Sequence, residues 1–489
     1  MIADLKRPAI LAGSAACLSV FAGVAMVPVL SKPAPQFAAA LVFLLTALVA
    51  THLVVLRRSG DALNLLSLAA AFYLVAFFAG GIYAWFALRH GPEGVPGTDI
   101  TAAVAVTGVA WLCFAAGYLA DSFRFVRRIV PPPACIAAAA RTGPLLACLL
   151  GSGWAARLLL VSEGRYYHTK VNPVVQAGSS WYVYEASLLP LVALAVAGAG
   201  AFGLGGKRPR GRSWILFLVL LATELAWAVP SGSREEIVDV LVLVVVVRYY
   251  ARRRLPSPRV VAAITLALVF VVFPLVGAYR SGDFRSSPTG ALLTATTQVR
   301  DRSLNGTLKA GGDTLARFAD VTSLARILEQ GRDRMAFSTA DTISYSLEGF
   351  VPRALFPQKP QPSAFGNEFG RAYGFLSPND VSTAVAVTEP GELYLGGGWL
   401  ALLLGMPLLG ALLRTLDEYL RARRSDLGVL ALYAVIAPSV VVGLETSIAV
   451  GFVGALKSAI FIGLVVAAFG WLRPHAPTQA APRARHGEA

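Results

Sequence analysis

Residues 36–58 read QFAAALVFLLTALVATHLVVLRR, an apolar run from Gln36 to Leu56 with no Asp, Glu, Lys or Arg, closed by Arg57-Arg58. At 1.5 Å per residue such a run is long enough to cross the roughly 30 Å hydrocarbon core of a bilayer as a helix. Cytoplasmic loops are enriched in Lys and Arg, so the basic pair marks the inner end. The same reading recurs along the chain. Spans are predicted at 8–30, 36–56, 63–88, 99–120, 143–161, 181–204, 214–230, 236–250, 259–278, 393–413, 427–446 and 448–471.

Working outward from Arg57-Arg58, the basic clusters fall at alternate connections. Lys6-Arg7, Arg124 with Arg127-Arg128, Lys207 with Arg208, Arg210 and Arg212, Arg252-Arg253-Arg254, Arg421 with Arg423-Arg424, and Arg473 all fall on the same side. That alternation predicts an all-α polytopic membrane protein of about twelve transmembrane helices, with both ends in the cytoplasm. It divides the chain into helices 1–9 at 1–278, an extracytoplasmic loop subdomain at 279–392, helices 10–12 at 393–472, and a disordered cytoplasmic tail at 473–489. The first span lacks a small-residue cleavage site followed by a polar stretch, so it is expected to be an anchor rather than a signal peptide.

Composition agrees. Of 489 residues, 56% are hydrophobic and only 15% charged, with a mean hydropathy of +0.63. A water-soluble domain carries about 25% charged residues. The net charge of +15 is a topology signal, not a nucleic-acid surface. Four cysteines, Cys17, Cys113, Cys135 and Cys148, lie in or beside apolar segments and give no disulfide framework. Five histidines without ligand spacing lead us to expect no metal and no cofactor.

Within the long loop, Leu315, Phe318, Val321, Leu324 and Leu328 recur at helical spacing, which predicts one amphipathic helix lying on the membrane or the bundle. Arg157, Glu185, Glu224, Asp239, Glu445 and Lys457 are predicted inside spans, all in outer halves, and Glu224 is expected to pair with Lys457. Charges placed in this way predict a polar cavity opening outward. Four outward clusters could serve it: Gly164-Arg165-Tyr166-Tyr167-His168, Ser231-Gly232-Ser233-Arg234-Glu235-Glu236, Tyr279-Arg280-Ser281, and the far end of the long loop. Outward arginines run against the positive-inside bias, and guanidinium forks suit phosphate. Tyr166, Tyr167, Trp181, Phe350, Tyr373, Tyr394 and Trp399 are available either to stack on sugar rings or to form an interface belt.

Three stretches carry a resemblance. Leu347-Glu348-Gly349-Phe350-Val351-Pro352-Arg353 through Pro357-Gln358-Lys359-Pro360, then Phe365-Gly366, then Pro390-Gly391-Glu392-Leu393-Tyr394-Leu395, together with Gly232-Ser233-Arg234, resemble Wzy-type oligosaccharide repeat-unit polymerases. These motifs cover about a tenth of the chain. The resemblance implies an inverting, metal-independent glycosyltransferase in a bacterial inner membrane, building O-antigen, capsule or exopolysaccharide from polyprenyl-diphosphate-linked glycans. It also implies a chain-length regulator and a flippase as partners, alongside membrane lipid. On that reading Arg353, Arg280, Arg234, Lys359 and Arg165 would hold diphosphate, and Tyr166, Tyr167 and Tyr394 would hold sugar. Glu392 is then the first choice of general base, with Glu389 second and His168 third. The long loop has no His, which places the related O-antigen ligases below the polymerases. A lipid-linked oligosaccharide flippase is the rival from the transporter class. A polyprenyl-phosphate-sugar transferase is disfavoured, because its acidic first outer loop would here be only Ser31-Lys32-Pro33-Ala34-Pro35. A membrane scaffold would leave the outward arginines without a role.

Overall fold

The computed structural model describes residues 35–88, 95–123, 125, 142–163, 166, 181–206, 211–281, 287–351, 356, 364–381, 383–421 and 426–471. All regular structure among them is helical. The first four helices are α1 (Pro35–Ser59), α2 (Leu65–Leu88), α3 (Gly97–Ala120) and α4 (Thr142–Ser162). There follow α5 (Trp181–Ala186), α6 (Leu189–Phe202), α7 (Gly211–Ser231), α8 (Arg234–Arg252) and α9 (Pro258–Ser281). The long connection holds α10 (Pro288–Arg300), α11 (Leu304–Ala316), α12 (Val321–Gln330), α13 (Thr339–Phe350) and α14 (Ala364–Ala372). The chain closes with α15 (Glu389–Arg421), α16 (Leu427–Gly443) and α17 (Ile448–Trp471). Nine helices among the described residues are long and apolar enough to cross a membrane, α5 and α6 counting as one, and the protein is an all-α multi-pass membrane protein. The helix predicted at 8–30 lies outside the described residues.

The centre of the bundle is α3 against α15, with α1 on the flank of α3. Gly117 and Gly410 let those two backbones touch: a Cβ on Gly117 would collide with the Pro407 carbonyl, and one on Gly410 with the Phe114 carbonyl. Small residues at such a crossing give the van der Waals contact that drives helix association where no hydrophobic effect operates. In a second group α6, α8 and α17 pack around α16, which is buried along nearly its whole length, and α7 packs against α6 and α8.

At the end opposite the long connection, a polar lattice runs through the turn between α1 and α2, α3, α8, α15 and α16. Tyr118 donates to Asp417 Oδ2 at 2.7 Å and Tyr250 to Asp61 Oδ2 at 2.7 Å. Tyr433 donates to the Leu63 carbonyl at 2.6 Å, and the Ala62 N–H donates to the Tyr249 hydroxyl at 2.9 Å. Each buried carboxylate is thereby satisfied, as burial requires. This is the end that carries Arg57-Arg58, Arg252-Arg253-Arg254 and Arg421.

Several sequence expectations shift. The pattern from Leu315 to Leu328 is broken at Arg317–Asp320, giving α11 and α12 rather than one helix. Only α12 faces the core, with Val321 and Leu324 fully buried, while Leu315 is exposed. The connection is shorter than 279–392, because α9 runs on to Ser281 and α15 begins at Glu389. It folds back on the bundle, with α12 against α3 and α13 against α17. It also builds a small core of its own from Ile327, Met335, Phe365, Phe369, Tyr373, Val387 and Leu395. Tyr373 is therefore an interior residue of that core, its hydroxyl donating to the Gly331 carbonyl at 2.9 Å, and not a free stacking surface.

A carboxylate-lined cavity beside three arginines

At the loop end, α5, α6, α8, α13, α14, α16 and α17 enclose a cavity of about 470 Å³. Glu185 of α5, Glu235 and Asp239 of α8, and Glu348 of α13 line it, with Lys457 of α17 as the cation on its wall among the described residues. Lys457 is nine positions along α17 from Ile448, which places it about 14 Å into the bundle. Tyr345 and Phe365 also line the cavity, and Phe337 stands between them, 4.4 Å from the Phe365 ring centroid and 6.4 Å from that of Tyr345. Carboxylates accept hydrogen bonds from hydroxyls and aromatic faces take sugar rings, so this lining suits a polyol.

The first turn of α8 positions Glu235 and Asp239. Ser233 caps it, its hydroxyl accepting from the Glu236 N–H at 3.4 Å, and Gly232 at φ +74° supplies the reversal before it. Acidic side chains in that turn oppose the positive end of the helix macrodipole. Asp239 lies one turn further in, and its Oδ1 is inaccessible with no hydrogen-bond partner.

Arg234, on the same turn, faces the other way. Its Nη2 donates to the Phe273 carbonyl at 3.2 Å, and its guanidinium lies 5.7 Å from the Phe273 ring centroid. Arg234 and Arg280 pack over each other's glycines. A Cβ on Gly277 would sit 3.1 Å from Arg234 Nη2, and one on Gly232 would sit 3.2 Å from Arg280 Cγ. Tyr279 fastens the pair by donating to the Pro230 carbonyl at 3.1 Å. Arg317, in the break between α11 and α12, is close enough to repel both, so three positive charges share one corner. On the sequence alone Arg234 and Arg280 fall in separate clusters, and Arg317 carries no signal beyond an arginine interrupting an apolar pattern.

Glu392 and Glu389 sit elsewhere. Glu392 is 1% exposed and does not line the cavity, and its Oε2 accepts from the Ile448 N–H at 2.7 Å. It is the cap of α17, supplied from a neighbouring helix. Glu389 is 2% exposed, with Oε2 lacking a hydrogen-bond partner. Glu445 falls in the turn beyond α16 rather than inside a span, and its backbone carbonyl accepts from Thr388 at 3.2 Å. Burial, then the charge of Glu235, raises the Glu445 carboxyl to about 7. Burial, then the charge of Glu445, pushes Asp320 well above the usual carboxylate range. The four acids stand where α12, α15 and the α16–α17 turn meet.

Glu224 pairs with Arg157, not Lys457. The pair is bidentate at 2.9 and 2.6 Å, and both side chains are 2% exposed. Tyr166 packs on Trp227 with ring centroids 4.2 Å apart and the planes tilted by 49°, and donates to the Trp227 carbonyl at 2.6 Å, so both ring and hydroxyl are engaged beside that pair. Tyr394 is half-buried on α15 against Trp399, 5.9 Å away and edge to face. Arg165, Tyr167, His168, Arg353 and Lys359 lie outside the described residues. Glu348 and Gly349 before the proline-rich stretch, and Ala364 and Phe365 after it, line the cavity.

No curated protein and no solved structure matches the chain. Over residues 166–421, more than half its length, it matches the model of a domain of unknown function (DUF8712), and the chain belongs to that family.

Proposed function

We propose that this protein is an inner-membrane glycosyltransferase that polymerises polyprenyl-diphosphate-linked oligosaccharide repeat units into a surface polysaccharide. It would have about twelve spans, cytoplasmic ends and an extracytoplasmic cavity. The observation that carries the reading is the juxtaposition within the first two turns of one helix: Arg234 joins an arginine corner suited to diphosphate, while Glu235 and Asp239 line a cavity suited to a polyol.

In this scheme the donor's diphosphate rests on Arg234, Arg280 and Arg317, with Arg353, Lys359 and Arg165 assigned to the same anion. An acceptor hydroxyl in the cavity attacks the anomeric carbon of the donor, and the bond from that carbon to the diphosphate oxygen breaks. Polyprenyl diphosphate leaves with the electron pair, its charge offset by the guanidinium groups. The hydroxyl proton passes to a cavity carboxylate. We assign that role to Asp239, because it lines the cavity while Glu392 is committed to a helix cap. Glu389 and His168 stay behind it as candidates.

A flippase needs a path to the far side of the membrane. The Tyr118–Asp417 and Tyr250–Asp61 bonds knit that end together, which supports a one-sided site instead. A deletion strain separates the two. Loss of long chains with one-unit glycans still at the surface supports polymerisation, whereas loss of the single unit as well would sink it in favour of transport.

A further inference from the structure

Pro190 has no N–H to return to Ala186, so the helix breaks between α5 and α6. The Leu191 N–H turns instead to the Leu188 carbonyl at 3.0 Å, and the Ser187 carbonyl loses the donor a continuous helix would give it. Another helix fills that acceptor: Arg157 Nε–H donates to the Ser187 carbonyl at 3.1 Å. The remaining arms of the guanidinium reach both oxygens of Glu224. Its centre lies 5.1 Å from the Trp154 ring and 4.7 Å from the Trp227 ring. Neutralising Glu224 needs only a charge. Reaching Ser187 and both carboxylate oxygens at once needs the planar fork of arginine. Tyr184, Glu185 and Leu188, beside the clamped carbonyl, all line the cavity.

We propose that Arg157 is the positioning residue of the cavity, holding the α5–α6 break so that Glu185 and Tyr184 are presented on its wall. This deepens the reading of that cavity as the substrate site and rests on it. The ion pair is thus a bracket for the binding wall as well as the neutralisation of a charge in the bilayer.

The test is thiol labelling of the full-length protein in membranes, with Cys17, Cys113, Cys135 and Cys148 replaced by serine. One reporter is Glu185→Cys on the clamped wall, and the other is Ser458→Cys on the facing wall of α17, which also lines the cavity. Adding Arg157→Lys keeps the charge but loses the fork. Labelling by a water-soluble maleimide should rise at least fivefold at position 185 and stay within twofold at 458. An unchanged rate at 185, or equal rises at both positions, would overturn the proposal. Should Arg157→Lys fail to accumulate, Glu224→Asp, which withdraws the carboxylate by one methylene, must give the same selective rise. Labelling needs no polymerisation, so failure of the glycosyltransferase reading, seen as no polymer from the unsubstituted protein, is read separately.

Discussion

Replacing Glu392 separates a helix cap from a general base, because the two roles predict opposite results for two substitutions. In Glu392→Ala the Ile448 N–H loses the acceptor it holds at 2.7 Å and is left buried. Orphaning a buried donor costs about 1–3 kcal/mol, and losing a cap about 0.5–2 kcal/mol, two descriptions of largely one loss. A destabilisation of about 2–3 kcal/mol is therefore expected, since the acceptor is charged. Glu392→Gln keeps an oxygen for Ile448 and should cost only about 1 kcal/mol. Unfolding of purified protein in detergent, followed by intrinsic fluorescence against denaturant, measures both. Polymer yield, scored beside it, should be near normal for Glu392→Gln, whereas loss of a general base would cut it a hundred- to ten-thousandfold. Alanine at wild-type stability, or glutamine without polymer at unchanged stability, would refute the cap and return Glu392 to the chemistry.

Arg234→Ala and Arg280→Ala should each lower turnover about ten- to a hundredfold, the value of a hydrogen bond to a charged group, with lysine rescuing only in part; normal chain length in both would remove the arginine corner from the site. Stability should fall between about pH 4.5 and pH 7. Glu445 is raised from 4.5 to about 7 in the fold, so over that window the folded state binds more protons than the unfolded one, and raising the pH removes them. Glu445→Gln should flatten the fall, and a flat wild-type profile of melting temperature against pH would contradict the assignment. A reporter fused after Gly306 should be extracytoplasmic and one after Arg254 cytoplasmic; the reverse would turn the cavity toward the wrong compartment.

The helices were legible because a bilayer imposes length and apolarity on every span, and both are local properties. Helix neighbours are not local. Glu224 was assigned to Lys457 by depth alone, and only the packing of α4 beside α6 and α7 brings Arg157 to it. The stripe from Leu315 to Leu328 kept its spacing across the break at Arg317–Asp320, so periodicity could not see two helices. Asp61 and Asp417 carry no motif; each is satisfied by tyrosines from helices far apart in sequence. Glu392 stands just before the predicted span 393–413, but the helix it caps is α17 and not its own. The arginine corner was half-legible. The Gly232 turn pointed to Arg234, while the reciprocal packing with Gly277 and Arg280 exists only in three dimensions.

The central claim is tested most directly by giving purified protein in detergent synthetic polyprenyl-diphosphate-linked repeat units and resolving the products by mass. A ladder spaced by one repeat unit is expected, with one polyprenyl diphosphate released per bond formed, and no ladder from Asp239→Asn at equal protein and equal stability. Repeat units returned unchanged by the folded wild-type protein would contradict it.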